Sequence, residues 1–164
     1  MTKTHPGLAM QAHDHADCVA RVLAQVEEIS AGESLNVTPV RRRVLELLLE
    51  SHAALGAYDI LRRLDEDGLG SQPPVAYRAL DFLVGHGFVH KIERLNAFVA
   101  CMHPGEGHDP VFMICRSCRA VAENHAVPGD GAIGEAAREI GFAVERVMVE
   151  VEGLCPACQQ DARP

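Results

Sequence analysis

Two C-x-x-C pairs constrain this chain more than any other feature: Cys115-Arg116-Ser117-Cys118 and Cys155-Pro156-Ala157-Cys158. Each loop points two thiolates at one centre, and two such loops close a tetrahedron of sulfur. Zn2+ has no directional d-electron preference and suits such a cage, which leaves no coordination position open, so the ion is structural. Two disulfides or a thioredoxin-like redox site are the alternatives. A redox site uses one C-x-x-C at a helix N-terminus, not two flanking a β-unit, and disulfides belong to oxidising compartments. Structural zinc on Cys115, Cys118, Cys155 and Cys158 is therefore expected. It ties the start of a small C-terminal unit to its end, and a unit of about fifty residues needs such a staple or a partner chain.

The compartment follows from what the chain lacks. No apolar run approaches the roughly 18 to 20 residues that span a bilayer. The N-terminus, MTKTHPGLAMQAHDHAD, has neither an uncharged apolar core nor a small-residue cleavage site. A cytoplasmic protein without membrane contact is expected. With 164 residues, 48% of them apolar and 23% charged, the chain fits one or two folded domains rather than a disordered segment. Aromatics are 4% with no Trp, so Leu, Val, Ile and Ala must build the cores.

Upstream of the first pair the apolar period is helical. A first helix is expected over Ala12 to Ser30, with Val19, Val22, Leu23, Val26 and Ile29 on one face. A second begins at Thr38-Pro39, where Thr caps free N–H groups and Pro suits the first turn, and runs to about Ser51. A third spans Ala57 to Asp67, and a fourth runs from Pro73-Pro74 to Gly85–Gly87. The period then shortens. Phe88–Glu93 and Ala97–Cys101 read as a hairpin turning at Arg94-Leu95-Asn96. Helices followed by a small hairpin form the winged helix-turn-helix pattern. After the loop Met102–Pro110, strands are expected at Val111–Cys115, Ala120–Glu123 and Ala143–Val151, with a helix at Gly134–Ile140. The fold class is α+β: a winged helix-turn-helix domain over 1–101, a hinge loop over 102–110 and a small zinc-stapled α/β dimerisation domain over 111–164.

The net charge is −8, yet Asn36–Arg94 is neutral. Arg41, Arg42, Arg43, Arg62, Arg63, Arg78, Lys91 and Arg94 balance Glu46, Glu50, Asp59, Asp65, Glu66, Asp67, Asp81 and Glu93. A neutral half with clustered arginines can present a basic face while the acidic half points away from phosphates. On the fourth helix Arg78, and with it Tyr77, projects outward, and an Arg in the first turns of a recognition helix can bond a guanine edge in two places. Arg41, Arg42 and Arg43 open the second helix, where they can meet phosphates. An amphipathic helix with surface ion pairs is the plainer reading of both.

A second ligand set is looser. His90 lies in the hairpin, Cys101 ends its second strand, His108 lies in the connecting loop and Glu123 follows in the next strand. Imidazole, thiolate and carboxylate together suit four-coordinate zinc, although a lone strand His is usually surface and a buried Cys a small hydrophobe. His13 and His15 read as a solvated terminus, His52 and His86 as helix-end residues, Cys18 as core. His103 and His125, with Asp109, stand as an auxiliary site or as idle groups.

The chain resembles the ferric uptake regulator family of bacterial metal-sensing repressors, and within it the zinc uptake regulator branch. The resemblance runs roughly from Val37 to Cys158. It rests on Thr38-Pro39-Val40-Arg41, Ala57-Tyr58-Asp59-Ile60-Leu61, Pro74-Val75-Ala76-Tyr77-Arg78-Ala79-Leu80-Asp81-Phe82-Leu83, Gly87-Phe88-Val89-His90-Lys91 and the two C-x-x-C pairs. It implies a homodimer that binds operator double-stranded DNA and represses zinc-uptake genes. It also implies about two Zn2+ per chain: one structural, and one regulatory on His90, Cys101, His108 and Glu123. Tyr58 and Arg78 match positions that the family uses on DNA. Iron and peroxide sensors of the family carry a His-His-Asp-His run before the first C-x-x-C. Here the region reads His103-Pro104-Gly105-Glu106-Gly107-His108-Asp109, which departs from their pattern, and Arg119 stands where Gly is common. An iron, manganese or peroxide sensor is the rival within the family, and a zinc or thiol enzyme the rival outside it. No HExxH, P-loop or nucleophile elbow supports the enzyme.

Overall fold

The computed structural model describes residue 10 and residues 14–126 and 131–161. Helix α1, His15–Gly32, is capped by the Asp14 carboxylate, which accepts from the Ala16 and Asp17 N–H groups. Ala12 and His13 of the expected first helix lie outside the described residues. Thr38 caps α2, Pro39–Leu49, with Pro in its first turn as expected. Helix α3, Ala57–Glu66, stops at Gly68, whose φ of 72° suits a residue without a Cβ. Helix α4, Pro73–Gly85, ends the same way at Gly87, φ 70°. Val44, Leu45, Ile60, Leu64, Leu80, Leu83 and Phe88 form the core among these helices, all essentially inaccessible.

Strands β1, Val89–Ile92, and β2, Ala97–Ala100, pair antiparallel with Val89 opposite Ala100. Leu55 exchanges both backbone hydrogen bonds with Phe98, at 3.0 and 2.8 Å, adding a one-residue third strand. This completes a winged helix-turn-helix.

The C-terminal half is a three-stranded sheet of order β4-β3-β5, with β3 at Asp109–Cys115, β4 at Val121–Ala126 and β5 at Val149–Gly153. β3 and β4 are antiparallel. β3 and β5 are parallel, joined by a crossover that includes α5, Gly131–Glu139. The expected strand Ala143–Val151 is corrected: residues 143–148 are not in a strand. β5 pairs with β3 from Val111 opposite Val149 to Cys115 opposite Gly153, and among the described residues no pairing precedes it. Alternation describes a face, and pairing needs a neighbour. α5 starts at Gly131, ahead of the expected Gly134, and α6, Pro156–Asp161, was not expected.

The two halves share a second core. Ile92, Ala97 and Val99 of the wing pack with Phe112, Ile114 and Val121 of the C-terminal sheet. Backbone contact reinforces it, because the Val121 N–H donates to the His52 carbonyl at 2.9 Å. The sheet face carrying Phe112, Ile114, Val121 and Glu123 therefore looks at the wing.

Candidate metal centres and nucleic-acid interface

Parallel pairing of β3 and β5 brings the two C-x-x-C loops to one end of the sheet. Cys115 ends β3, and the Arg116 N–H donates to the Gly153 carbonyl at 2.9 Å, just ahead of Cys155. The ligand atoms of Cys115, Cys118, Cys155 and Cys158 all lie within 4.8 Å of one another. Cys118 Sγ and Cys155 Sγ are 3.8 Å apart. A tetrahedron with Zn–S bonds of about 2.3 Å has edges of about 3.8 Å, so the donor set fits zinc in number, type and spacing. All four thiols are free, which sets the disulfide alternative aside in this structure. Backbone N–H groups of Cys118 and Cys155 aim at Cys115 Sγ and hold its pKa down to about 6. The Ser117 hydroxyl lowers that of Cys158, but the Cys155 thiol and burial outweigh it and push it up to about 12.

The second set converges from both halves. β1 supplies His90, the end of β2 supplies Cys101, the following loop supplies His108, and β4 supplies Glu123. Their ligand atoms also lie within 4.8 Å of one another. Cys101 Sγ is 3.8 Å from both His108 Nε2 and Glu123 Oε1, and Glu123 Oε1 is 2.6 Å from His108 Nε2 and 3.3 Å from His90 Nε2. His90 Nε2 is buried and makes no hydrogen bond of acceptable geometry. A buried nitrogen left unsatisfied among acceptors is what a metal ligand looks like without its ion. His108 is oriented by the Glu106 carbonyl, 2.5 Å from its Nδ1, which leaves Nε2 facing the centre.

Charge in this centre is finely set. Burial first, then the Glu123 carboxylate, pushes the Cys101 thiol well above its usual range. Burial opposes ionisation of Glu123, but the hydrogen bond to His108, the contact with His90 and the Met102 N–H at 2.9 Å outweigh it and hold the carboxyl well below the usual range. The bond to Glu123 raises His108 against the effect of burial. Without a metal the centre therefore holds a neutral thiol, a carboxylate and a proton-loving imidazole at neutral pH.

His103 lies outside this set. His15 stacks edge-on against His52, ring centroids 4.9 Å apart, and with Cys18 and His103 they line a cavity of about 30 Å³ beside Glu123. Cys18 is buried, as expected of a core residue. His13 and the side chain of His125 lie outside the described residues.

In the winged helix, Tyr58 in the first turn of α3 is 72% exposed and Tyr77 in α4 is 44% exposed, with Arg78 exposed beside it. Arg78 and Arg41 border one shallow depression with Thr38 and Val75. Arg41 is not a free arm: its guanidinium lies 3.7 Å from the Phe82 ring centroid, and it donates to the Asn36 carbonyl. Arg42 and Arg43 form the surface ion pairs of the plainer reading. Arg42 pairs with Glu27 and, at 3.0 Å, Glu46. Arg43 pairs with Asp67 at 2.6 Å and Glu50 at 3.2 Å. They face along α2 toward α1 and the end of α3, so they tie helices together.

Comparison with known proteins decides the family. The zinc uptake regulation protein of Escherichia coli (strain K12) is 40% identical over 138 residues, 84% of this chain and 81% of the relative. The chain belongs to the zinc uptake regulation proteins. These form the zinc branch of the ferric uptake regulator family. No family model matches the chain.

Among solved zinc uptake regulators, one in complex with zinc and DNA is 38% identical, covers 87% of this chain and 96% of its own, and superposes with a TM-score of 0.79. Holo XcZur superposes at 0.74 and apo XcZur at 0.51. Both are 37% identical and cover 87% of this chain and 99% of their own. With sequence and coverage equal, the difference is conformational, and the arrangement seen here is closer to the holo form. The structure brings together the members of both candidate ligand sets, the sulfur set expected from its spacing and the second set expected chiefly from the family resemblance. The orienting carbonyl of Glu106, the Met102 N–H on Glu123 and the Arg41–Phe82 stack were not readable from the sequence, because backbone donors and stacking partners leave no residue-type signal.

Proposed function

We propose that this chain is a zinc-responsive transcriptional repressor. As a homodimer, in the cytoplasm, it grips operator double-stranded DNA when zinc is plentiful and represses zinc-uptake genes. One observation carries the reading: ligand atoms from the wing, the connecting loop and the C-terminal sheet meet within 4.8 Å. Such a centre is complete only when the halves are docked. About two Zn2+ per chain are assigned, a structural one on Cys115, Cys118, Cys155 and Cys158 and a regulatory one on His90, Cys101, His108 and Glu123. The units are taken as a winged helix over 1–101, a hinge over 102–110 and a dimerisation domain over 111–164. Both ligand sets supply four protein donors and leave no position for a substrate, which argues against a zinc enzyme.

A bound Zn2+ supplies two positive charges that neutralise the Cys101 thiolate and the Glu123 carboxylate. His90 and Cys101 then hold the wing, and Glu123 holds the sheet, at one fixed angle. In a dimer that angle sets the separation of two α4 helices on successive major grooves. Tyr58, Tyr77 and Arg78 face bases from the exposed turns of α3 and α4, and Arg41, braced on Phe82, meets the backbone. The soft thiolate of Cys101 favours zinc over manganese or ferrous iron. Dimerisation is supported by apolar side chains left exposed in the C-terminal half: Met113, Ile133, Ile140, Phe142, Met148 and Val151. No described helix is long and apolar enough to cross a membrane.

The test is duplex binding at fixed salt with buffered free zinc, beside metal content per chain. Zinc must strengthen binding to a selected duplex, and manganese and ferrous ions must do so only at much higher concentration. Zinc-independent binding, or a centre that stays empty in zinc-saturated protein, rejects the reading. In the same assay Arg78→Ala is expected to cost about 1–3 kcal/mol, roughly fivefold to 150-fold, with relaxed sequence preference. Equal loss on all duplexes would demote Arg78 to a phosphate contact.

The proton balance gives a second prediction. The Cys101 thiol is raised, so it is protonated at neutral pH in the metal-free state, and binding must expel that proton. Zinc affinity of this centre should therefore rise with pH by about tenfold per unit for each proton released. Calorimetry in buffers of different ionisation enthalpy measures the release. Affinity that is flat with pH would remove Cys101 from the ligand set.

A further inference from the structure

The wing turn is held from the other half of the molecule by a second device, some distance along the hairpin from the ligand set. One carboxylate of β5 caps it: Glu150 Oε1 accepts from the Glu93 N–H at 2.8 Å and Glu150 Oε2 from the Arg94 N–H at 3.1 Å. Two residues on, Glu152 Oε2 accepts from Arg94 Nε at 2.8 Å. Glu150 and Glu152 lie opposite Phe112 and Ile114 of β3, so they share the sheet face that packs on the wing. The hairpin is thus pinned at both ends, by His90 and Cys101 near α4 and by the β5 carboxylates at its tip, with Ile92, Ala97 and Val99 packed between.

We infer that Glu150 is a positioning residue for operator binding: it latches the wing turn to the dimerisation domain and biases the chain toward the docked, zinc-accepting arrangement. The inference rests on the repressor reading. The physical basis is differential contact. Two backbone N–H groups that form a fork in the turn are satisfied by one carboxylate only when the halves are docked. When the halves part, Glu93 and Arg94 return to water and the carboxylate does too, so the bonds count toward docking and not toward the fold of either half. Glu152 adds a charge-assisted bond to the same turn. The latch touches no ligand of the metal centre, so it acts on zinc affinity and DNA affinity only through the docking equilibrium.

Glu150→Ala in the full chain tests this, with Glu150→Gln, which keeps one acceptor oxygen, as the graded variant. The probe is a duplex selected from a random library on zinc-loaded wild-type protein. Glu150→Ala should raise the free zinc needed for half-maximal duplex binding by about tenfold, with Glu150→Gln in between. At saturating zinc its duplex affinity should return to within about threefold of wild type, because the metal ligands then drive docking themselves. Amide exchange gives the readout that a general loss of stability would not produce. In zinc-loaded Glu150→Ala, the Glu93 and Arg94 amides should exchange as in free chain while amides of the β1–β2 ladder keep wild-type protection. A wild-type zinc midpoint, or unchanged protection at Glu93 and Arg94, overturns the latch. If wild-type protein binds no duplex in a zinc-dependent way, the repressor reading fails, and the exchange data and zinc midpoint for metal binding alone still decide the latch.

Discussion

Cys155→Ser is expected to lose one zinc per chain and with it the C-terminal fold. The expectation follows from how little else holds that half together. In α5 only Gly134 and Ala137 are buried, α6 has no buried residue, and β5 touches the sheet through one parallel neighbour. The four sulfurs join the end of β3 to the start of α6 and so close the whole crossover. Binding of structural zinc in small cysteine sites is worth about 10–16 kcal/mol at neutral pH, as much as the whole stability of an ordinary domain. Removing one thiolate forfeits most of it. Circular dichroism should show lost sheet, and sedimentation a monomer, while the helical core around Leu45, Ile60 and Leu80 keeps slow amide exchange. Chelation of the wild type should do the same. A folded, dimeric Cys155→Ser with wild-type metal content would end the structural assignment.

The second large effect separates regulation from folding. Cys101→Ser keeps size and shape in a buried position and leaves the sulfur cage intact. It exchanges a thiolate ligand for a hydroxyl that stays protonated. Losing a mere outer partner of a metal ligand typically costs 10- to 100-fold in affinity, so losing the ligand should raise the zinc requirement for operator binding by more than about a hundredfold. His90→Ala should act in the same direction, since it cuts the tie to β1 while three donors remain. Both variants should retain one zinc per chain and a cooperative fold. Wild-type zinc dependence of duplex binding in the two would reject the switch. So would crystals of zinc-saturated protein with cations confined to the four-sulfur cage.

Legibility was uneven along the chain, for physical reasons. The four helices of the N-terminal half could be read because each carries its own start, stop and period: Thr38-Pro39 opens α2, and Gly68 and Gly87 close α3 and α4. The strand over Ala143–Val151 begins later than its alternation because a strand's limits are set by pairing with its neighbour, and β5 pairs with β3 only from Val149, opposite Val111. Helix α6 was missed because Pro156–Asp161 has too few residues to show a period. The partners of Arg42 and Arg43 were not legible, because local sequence shows a charge but not the carboxylate that Glu27 or Asp67 brings to it from another helix.

The sequence by itself determined the sulfur cage, the helix-turn-helix order and the residue types able to bind a divalent ion, since these depend on spacing along the chain and on side-chain chemistry. The tertiary structure alone decided that His90, Cys101, His108 and Glu123 face one point, that wing and sheet share a core, and that Glu150 reaches the Glu93 and Arg94 amides. Those relations join residues up to 57 positions apart. They exist only when two separately patterned surfaces meet, and no local propensity encodes the angle at which they do.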